Sequence, residues 1–181
     1  MIRKIFSAAI SAVILAVIFF VTPQTVSAAN FGYQANVEGI GWMNEVALGE
    51  VAGTTGQSKR LEALIINFNG GIKYSAHVEN IGWQNWVYAG EVAGTVGKNL
   101  RMEAIRIQLV GRTEQYYDVY YRVHVENVGW LGWAKNGEPA GTAGASLRME
   151  AIQIQLVEKD SAFDRGDKPA FAQVIKDAPA V

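Results

Sequence analysis

Cysteine is absent from the chain of 181 residues, and histidine occurs only twice. Without cysteine the chain has no disulfides, no lipid-anchored cysteine and no thiolate metal site, so its stability has to come from an apolar core. Basic and acidic residues nearly balance, at 16 against 17, and no basic block stands out, so nucleic acid is not an expected partner. The Ser-His-Asp order, a cysteine nucleophile and the HExxH motif are all missing, and with them the usual signatures of hydrolases.

Residues 1–29 have the layout of a secretory signal peptide. A basic start is followed by the apolar run 5–21, by the helix breaker Pro23 and by small residues that favour cleavage after Ala28 or Ala29. The alternative is a retained membrane anchor, but the apolar run is at the short end for spanning a bilayer. We therefore expect a secreted, extracellular protein that can associate with the cell surface and that makes no membrane contact after cleavage.

The rest of the chain contains three copies of one unit, which align with one another without a gap. The first unit covers residues 33–68, the second unit 74–109 and the third unit 121–156. The longer spacing before the third unit falls in the linker GRTEQYYDVY and not inside a unit. We treat residues 30–157 as one three-repeat domain.

Each unit has the pattern of β structure. In the second unit, apolar and polar side chains alternate over residues 74–79 and again over 105–109, which is typical of half-buried strands. Between them the Gly-rich loop, residues 90–98, predicts tight backbone turns. A unit of this length cannot close its own core, so the three copies are expected to pack on one another. We expect an all-β fold closed by pseudo-threefold symmetry, either a β-prism or a β-trefoil.

The tail, residues 158–181, is charged and contains proline. We expect it to be loosely ordered, with a short helix around Phe171–Lys176. Within it, Arg165-Gly166-Asp167 spells a tripeptide associated with integrin ligands, but a three-residue match arises easily by chance.

The pattern shared by the units is GW, a tryptophan three positions on in two of them, GE-x-AGT-x-G, and R-[LM]-EA-[IL]-x-I. It resembles the ChW repeat family, clostridial hydrophobic repeats named for their tryptophan, over all three units. The resemblance implies an exported protein with a role in binding at the cell surface, and it implies neither a known ligand nor an enzyme activity. The first unit departs from the pattern because Asn36 replaces the histidine and Glu45 replaces the second tryptophan.

The tryptophans divide into two groups. The first tryptophan of each unit follows a glycine in every copy, so we expect it to anchor the core, although an exposed indole could stack on a sugar ring. These residues are Trp42, Trp83 and Trp130. The second tryptophan, Trp86 or Trp133, is replaced by a carboxylate in the first unit. A position that accepts a carboxylate is expected to face water, so Trp86 and Trp133 are the better ligand-binding candidates.

The only histidines, His77 and His124, each precede a glutamate by two positions, Glu79 and Glu126. Such a pair could bind a metal or act as acid and base, and all four residues are candidates for ligand binding. Two ligands are too few for a closed zinc site, so we expect no metal and no cofactor. A solvated polar strand face is the favoured interpretation because the alternation alone predicts it.

An arginine and a glutamate, two positions apart, recur in every unit. If the chain is extended there, both share the face of the isoleucines that follow, and we expect an ion pair between the strand and the Gly-rich loop. A carboxylate for a sugar hydroxyl is the functional alternative. The pairs are Arg60 with Glu62, Arg101 with Glu103, and Arg148 with Glu150.

The threefold recurrence argues against catalysis, because hydrolases usually need one asymmetric set of groups. We expect a secreted, non-enzymatic binding or adhesion module that recognises carbohydrate or a cell-wall polymer through repeated shallow sites. The alternative is a structural or assembly protein that docks other exported proteins. A glycosidase built on Glu79, Glu126 or Glu103 is the third possibility.

Overall fold

The computed structural model describes residues 31–173. The predicted secretory signal and the residues after Gln173 lie outside the described residues. Between residues 31 and 173, all regular elements are β-strands except one short 3-10 helix, Thr113–Gln115. Across residues 31–173, no helix has the length and apolar character needed to cross a membrane. The all-β prediction is confirmed.

Each unit is built on one long antiparallel hairpin, whose two strands pair with each other. The long strands are β1 (Phe31–Val37) with β5 (Leu61–Phe68), β6 (Ile72–Val78) with β10 (Met102–Leu109), and β11 (Tyr117–Val125) with β15 (Met149–Glu158). Short strands lie between them, namely β2 (Gly41–Trp42), β3 (Val46–Ala47), β4 (Val51–Gly53), β7 (Gly82–Trp83), β8 (Val87–Tyr88), β9 (Ala93–Gly94), β12 (Gly129–Trp130), β13 (Ala134–Lys135) and β14 (Ala140–Ala143). In the tail, β16 (Phe171–Gln173) stands where the sequence predicted the start of a helix.

The short strand in each Gly-rich loop pairs with another unit and not with its own. Strand β4 of the first unit joins β15 of the third, β9 of the second joins β5 of the first, and β14 of the third joins β10 of the second. The three units are therefore linked in a cycle, in which each completes the sheet of a neighbour. The described strands form three separate sheets and not one closed barrel, so the β-prism and the β-trefoil stay predictions.

The inward-facing side chains of all three hairpins form a single hydrophobic core. The predicted inward face is confirmed in the second unit, where Tyr74, Ala76 and Val78 are fully buried and pack with Ile105 and Ile107. Ser75, predicted on the polar face, is also fully buried, and its hydroxyl donates to the carbonyl oxygen of Gln84. The aromatic anchors at equivalent positions of the three units are tyrosines. They are Tyr33, Tyr74 and Tyr121.

The glycine of each AGT triplet allows the close approach between units. At Gly94, φ is +100° and an added Cβ would lie 2.7 Å from the Cα of Ala63, while it would also overlap the carbonyl oxygen of Glu62. The next residue, Thr95, donates its N–H to that same carbonyl oxygen over 2.7 Å. A side chain at Gly94 would therefore push β9 away from the first unit.

Candidate functional site

A bulge in each long hairpin turns one glutamate away from the core. In the second unit the register shifts between Met102 and Ala104, and both Met102 and Ile105 are fully buried. Glu103 is the extra residue, and it lies on the outer face, the side of the hairpin opposite the core, beside His77. The prediction that Arg101 and Glu103 share the isoleucine face is wrong because the bulge interrupts the alternation.

Each outer face begins with a cluster of one arginine and two carboxylates. In the second unit, Arg101 Nη2 lies 2.8 Å from Glu103 Oε1, and Nη1 pairs with Glu79. The predicted ion pair is confirmed, but it ties the strand to the turn after β6 and not to the Gly-rich loop. The other two units repeat the arrangement with Arg60, Glu38 and Glu62, and with Arg148, Glu126 and Glu150.

The histidines extend this cluster towards the first tryptophan. His77 Nδ1 lies 3.3 Å from Glu103 Oε2, and its ring meets Trp83 edge-on with ring centres 5.4 Å apart. His124 stands in the same relation to its own glutamate and tryptophan, at 3.1 Å and 5.6 Å. Both side chains are less than a fifth exposed. The prediction of a solvated polar face is therefore wrong for them, because the indole and the carboxylate cover the ring.

An arginine lies over both tryptophans in the second unit. The guanidinium carbon of Arg106 is 4.6 Å from the ring centre of Trp83 and 4.6 Å from that of Trp86. Lys73 Nζ lies over Trp86 as well, at 4.9 Å. Such cation–π contacts orient the indoles and compete for their faces with any stacking ligand. We call Trp83, Arg106 and Trp86 the indole–guanidinium stack.

The third unit builds the same stack with an arginine from the opposite strand. Arg122 lies 4.9 Å from the ring centre of Trp130 and 4.7 Å from that of Trp133. Burial lowers the pKa of this guanidinium. Arg106 in β10 pairs across the hairpin with Ser75, and Arg122 in β11 pairs with Gln153. The two arginines therefore lie at the equivalent place on the outer face of their units, one on each of the two hairpin strands. Sequence reasoning missed both because they are not at equivalent repeat positions.

The first unit lacks the stack. Its cross-strand pair is Gln34 with Ile65, so no arginine is present there. The Glu45 carboxylate, which replaces the second tryptophan, accepts a hydrogen bond from the side-chain amide of Asn67. Its side chain lies over Gly32, where an added Cβ would sit 2.7 Å from the Glu45 Cγ. The carboxylate thus fills the space that the second tryptophan occupies elsewhere.

The burial of the tryptophans differs from the prediction. Trp42 is 38% exposed, Trp83 and Trp130 are half-buried, and none of them belongs to the core cluster. The tyrosines of the long strands take the core positions, so the first tryptophans pack on the outer face. Trp86 is half-buried, and Trp133 is only 8% exposed.

The tail covers the outer face of the third unit. The Phe163 ring stacks on Tyr120 with ring centres 4.1 Å apart and meets Trp133 edge-on at 5.3 Å. The prediction that Trp133 faces water is therefore wrong, because the tail supplies an aromatic cover. Phe163 lies in a polar segment, which gave no sequence signal for this packing.

Backbone and charged contacts hold the tail around Arg165. The N–H of Trp133 donates to the carbonyl oxygen of Arg165 over 2.9 Å, and the N–H of Gly132 donates to that of Pro169 over 3.2 Å. Arg165 Nε in turn donates to the Trp133 carbonyl oxygen over 2.8 Å, and its guanidinium pairs with Glu138. The arginine of the Arg-Gly-Asp tripeptide is therefore engaged within the protein.

The corresponding face of the second unit is open. A groove of about 480 Å³ lies beside the stack. It is lined by Trp83, Gln84, Asn85, Val87 and Val92. Within the described part of the chain, the backbone N–H groups of Asn85 and Trp86 have no hydrogen-bond partner. We call this surface the Trp83 groove.

A second cleft, of about 360 Å³, lies at the charged end of the second unit. It brings His77, Glu79, Arg101 and Glu103 together with the third-unit loop and with Gln173 of the tail. Among residues 31–173, no group of three or more His, Asp or Glu side chains is placed to hold a metal ion.

Comparison with known families identifies the repeat. The model of the family described as "Clostridial hydrophobic W" matches residues 36–70, 77–111 and 124–158, which together make up more than half of the chain. No curated protein and no solved structure matches the chain. The three matches coincide with the three structural units, each from the outer-face asparagine or histidine to the end of the hairpin. The chain therefore belongs to the ChW family of clostridial hydrophobic repeats.

Proposed function

We propose that the chain is an exported, non-enzymatic binding module of the cell surface and that the Trp83 groove is its open site. One observation carries the proposal. The same indole–guanidinium stack occurs in two units, and it is covered by the tail in the third unit and left uncovered in the second. A surface that the protein covers in one copy and exposes in another is suited to contact a partner.

A binding role agrees better than catalysis with the charged clusters. Every unit holds its two carboxylates against one arginine, as Arg101 holds Glu79 and Glu103. Glycoside hydrolysis needs two carboxyl groups that can reach the substrate, one of them as an acid, whereas Glu79 and Glu103 are both engaged by the guanidinium of Arg101. These clusters serve to join the ends of the long strands.

We further propose that the units form a ring with pseudo-threefold symmetry, of the β-prism kind. The cyclic exchange of β4, β9 and β14 between neighbouring sheets supports this arrangement. A ring would hold the Trp83 groove at a fixed angle to the other two outer faces. Of the two faces that carry the indole–guanidinium stack, only that of the second unit is open, so each chain would offer one site, and binding to a repetitive polymer would require several chains.

Two ligand classes compete for the groove. Carbohydrate or a cell-wall polymer suits the indoles, but Arg106 and Lys73 already lie over the ring of Trp86. Docking of another exported protein is favoured by the third unit, where a peptide segment lies on the equivalent surface. The second class therefore has the stronger support.

A pull-down with clostridial cell envelopes tests the proposal. The full chain would be compared with Trp86→Glu, which reproduces the residue of the first unit, and with Tyr116→Glu as a control outside the groove. We expect Trp86→Glu to lose retention and Tyr116→Glu, at a side chain that is 44% exposed, to keep it. Equal retention of all three proteins would contradict the assignment of the Trp83 groove as the binding site. Pretreating the envelopes with protease separates protein ligands from polymers.

A further inference from the structure

We propose that the Trp83 groove binds a short, bent peptide segment of a partner protein, in which an aromatic residue is followed two positions later by an arginine. This inference rests on the proposed function and names the ligand class of the same site. The tail of the chain, from Phe163 to Pro169, shows the mode of binding on the third unit. The second unit offers the equivalent groups without an occupant.

The tail is held on the third unit by three kinds of contact. Phe163 packs its ring on Trp133, backbone N–H groups of the unit bind tail carbonyl oxygens, and Arg165 reaches a carbonyl oxygen and a carboxylate. Phe163 and Arg165 are two positions apart, and the tail bends after Arg165, where Gly166 has a φ of +75°. The bend brings the carbonyl oxygens of Arg165 and Pro169 to two neighbouring N–H groups. None of these contacts requires residues outside the segment 163–169 and the third unit.

The backbone donors recur in the second unit. By the alignment of the units, Asn85 and Trp86 stand where Gly132 and Trp133 stand in the third. In the third unit the two N–H groups donate to tail carbonyl oxygens, whereas those of Asn85 and Trp86 meet no acceptor among the described residues. Two neighbouring free donors beside an apolar groove suit two carbonyl oxygens of a peptide that bends as the tail does between Arg165 and Pro169.

The acceptors for an arginine recur as well. Glu138, which pairs with Arg165, corresponds to Glu91 in the second unit. Both carboxylates are fixed in the same way, because Oε2 of Glu138 accepts the N–H of Lys135 over 3.0 Å and Oε2 of Glu91 accepts that of Tyr88 over 2.6 Å. Glu91 is exposed, so it remains accessible to an incoming guanidinium.

The aromatic position differs in one respect. Tyr120, on which Phe163 stacks, is replaced in the second unit by Lys73, whose Nζ lies over Trp86. An incoming aromatic ring would therefore meet an indole edge and an ammonium group in place of a second ring. A cation beside the ring favours tyrosine or phenylalanine over an aliphatic side chain.

The tail of the same chain cannot bind the Trp83 groove of the second unit while it is bound to the third unit. It leaves β15 at Glu158 and reaches Phe163 after a short turn, so its aromatic residue is tethered to the third unit. The occupant of the Trp83 groove then has to come from another chain. A peptide is favoured over a glycan as that occupant because the tail engages the equivalent donors and carboxylate of the third unit.

Binding of a synthetic peptide tests this directly. The probe is a fluorescently labelled peptide with the sequence of residues 159–173, titrated into the full-length protein and followed by anisotropy. We expect saturable binding that falls at least tenfold in Trp86→Glu and in Glu91→Ala. Peptides with Phe163→Ala or Arg165→Ala should bind at least tenfold more weakly, and one with Asp167→Ala should bind like the parent peptide.

Three outcomes overturn the peptide inference. The first is absence of binding, and the second is binding that Trp86→Glu leaves unchanged, which would mean exchange with the tail on the third unit. The third is binding of glycans in an array by the wild type, lost in Trp86→Glu, without peptide binding. In that last case the proposed function stands, whereas it fails separately if envelope retention is independent of Trp86.

Discussion

The hydroxyl of Tyr33 accepts a hydrogen bond of 3.2 Å from the backbone N–H of Ile154, which lies 121 residues further along the chain. The same hydroxyl donates to the carbonyl oxygen of Glu50 in the Gly-rich loop of its own unit. Tyr74 repeats the pattern, with Ile66 as donor at 3.0 Å and Glu91 as acceptor. These tyrosines therefore fix each Gly-rich loop and the neighbouring unit at one buried point.

Removing one of these hydroxyls should destabilise the whole protein. In Tyr74→Phe the N–H of Ile66 stays buried without a partner, so we expect a loss of about 1–3 kcal/mol in the free energy of unfolding. Urea unfolding followed by tryptophan fluorescence measures it. Tyr116→Phe is the matched control, since that side chain is 44% exposed and should change little. Identical midpoints for both variants would contradict the role of the hydroxyl.

The buried tyrosines should also make the protein sensitive to alkali. Burial raises the pKa of Tyr33 and Tyr74 from the usual 10 to about 12. In the unfolded chain they ionise near 10, so above that pH the unfolded state holds fewer protons than the folded state. Stability is then fully present below pH 10 and is lost as the pH rises towards about 12.

Alkaline unfolding can be followed by tyrosinate absorbance together with urea midpoints at increasing pH. The double variant Tyr33→Phe, Tyr74→Phe should start from a lower stability and lose less of it between pH 10 and about 12. If wild type and double variant lose stability in parallel, other groups cause the loss.

How far the sequence predicts this fold depends on the range of the contacts. Alternation along 74–79 and 105–109 predicts the long hairpins and their buried face, because burial on one side of a strand has a period of two. It does not predict that β9 pairs with the first unit, since the Gly-rich loop has no periodicity. Nor does it predict that Trp83 lies opposite His77 in register and therefore shares the outer face with that side chain.

Only part of the candidate site could be predicted from the sequence, for a similar reason. The repeat points to Trp83 and Trp86, but Arg106 and Arg122 come from opposite strands and break the threefold pattern. Pairing the two strands in register would have placed both arginines at one position of the outer face. The cover on Trp133 could not be predicted, because it depends on a single Phe163 contact outside the repeats.

The glycine of the AGT triplet should be irreplaceable for steric reasons. Gly94→Ala places a Cβ against the backbone of Glu62 and Ala63 at a positive φ, so we expect a loss of more than about 2 kcal/mol or failure to fold. Gly97→Ala is the control in the same loop, because its φ is +69° but nothing lies within 4 Å of the added atom. Thermal unfolding compares the two, and equal melting temperatures would argue against close docking between units.

The arginine of the charged cluster should matter more to stability than the histidine. Arg101→Ala leaves Glu103, which is almost fully buried, without its guanidinium, at a cost of roughly 1.5–3 kcal/mol. His77→Asn introduces the residue that the first unit carries as Asn36, which is itself buried, so we expect a smaller loss. Guanidinium chloride unfolding ranks the variants. A larger loss in His77→Asn would show that the histidine, and not the arginine, holds the cluster together.

Loosening the tail should uncover the stack of the third unit. Phe163→Ala removes the ring that lies on Tyr120 and Trp133, so Trp133 should become more accessible to acrylamide and its emission should shift to the red. Asp167→Ala changes the same exposed segment without removing an aromatic contact and serves as the control. If the third unit then acts like the second, the labelled 159–173 peptide should bind Phe163→Ala at two sites per chain and the wild type at one. Unchanged quenching and a single site in Phe163→Ala would mean that the backbone contacts of Arg165 and Pro169 hold the tail without the ring.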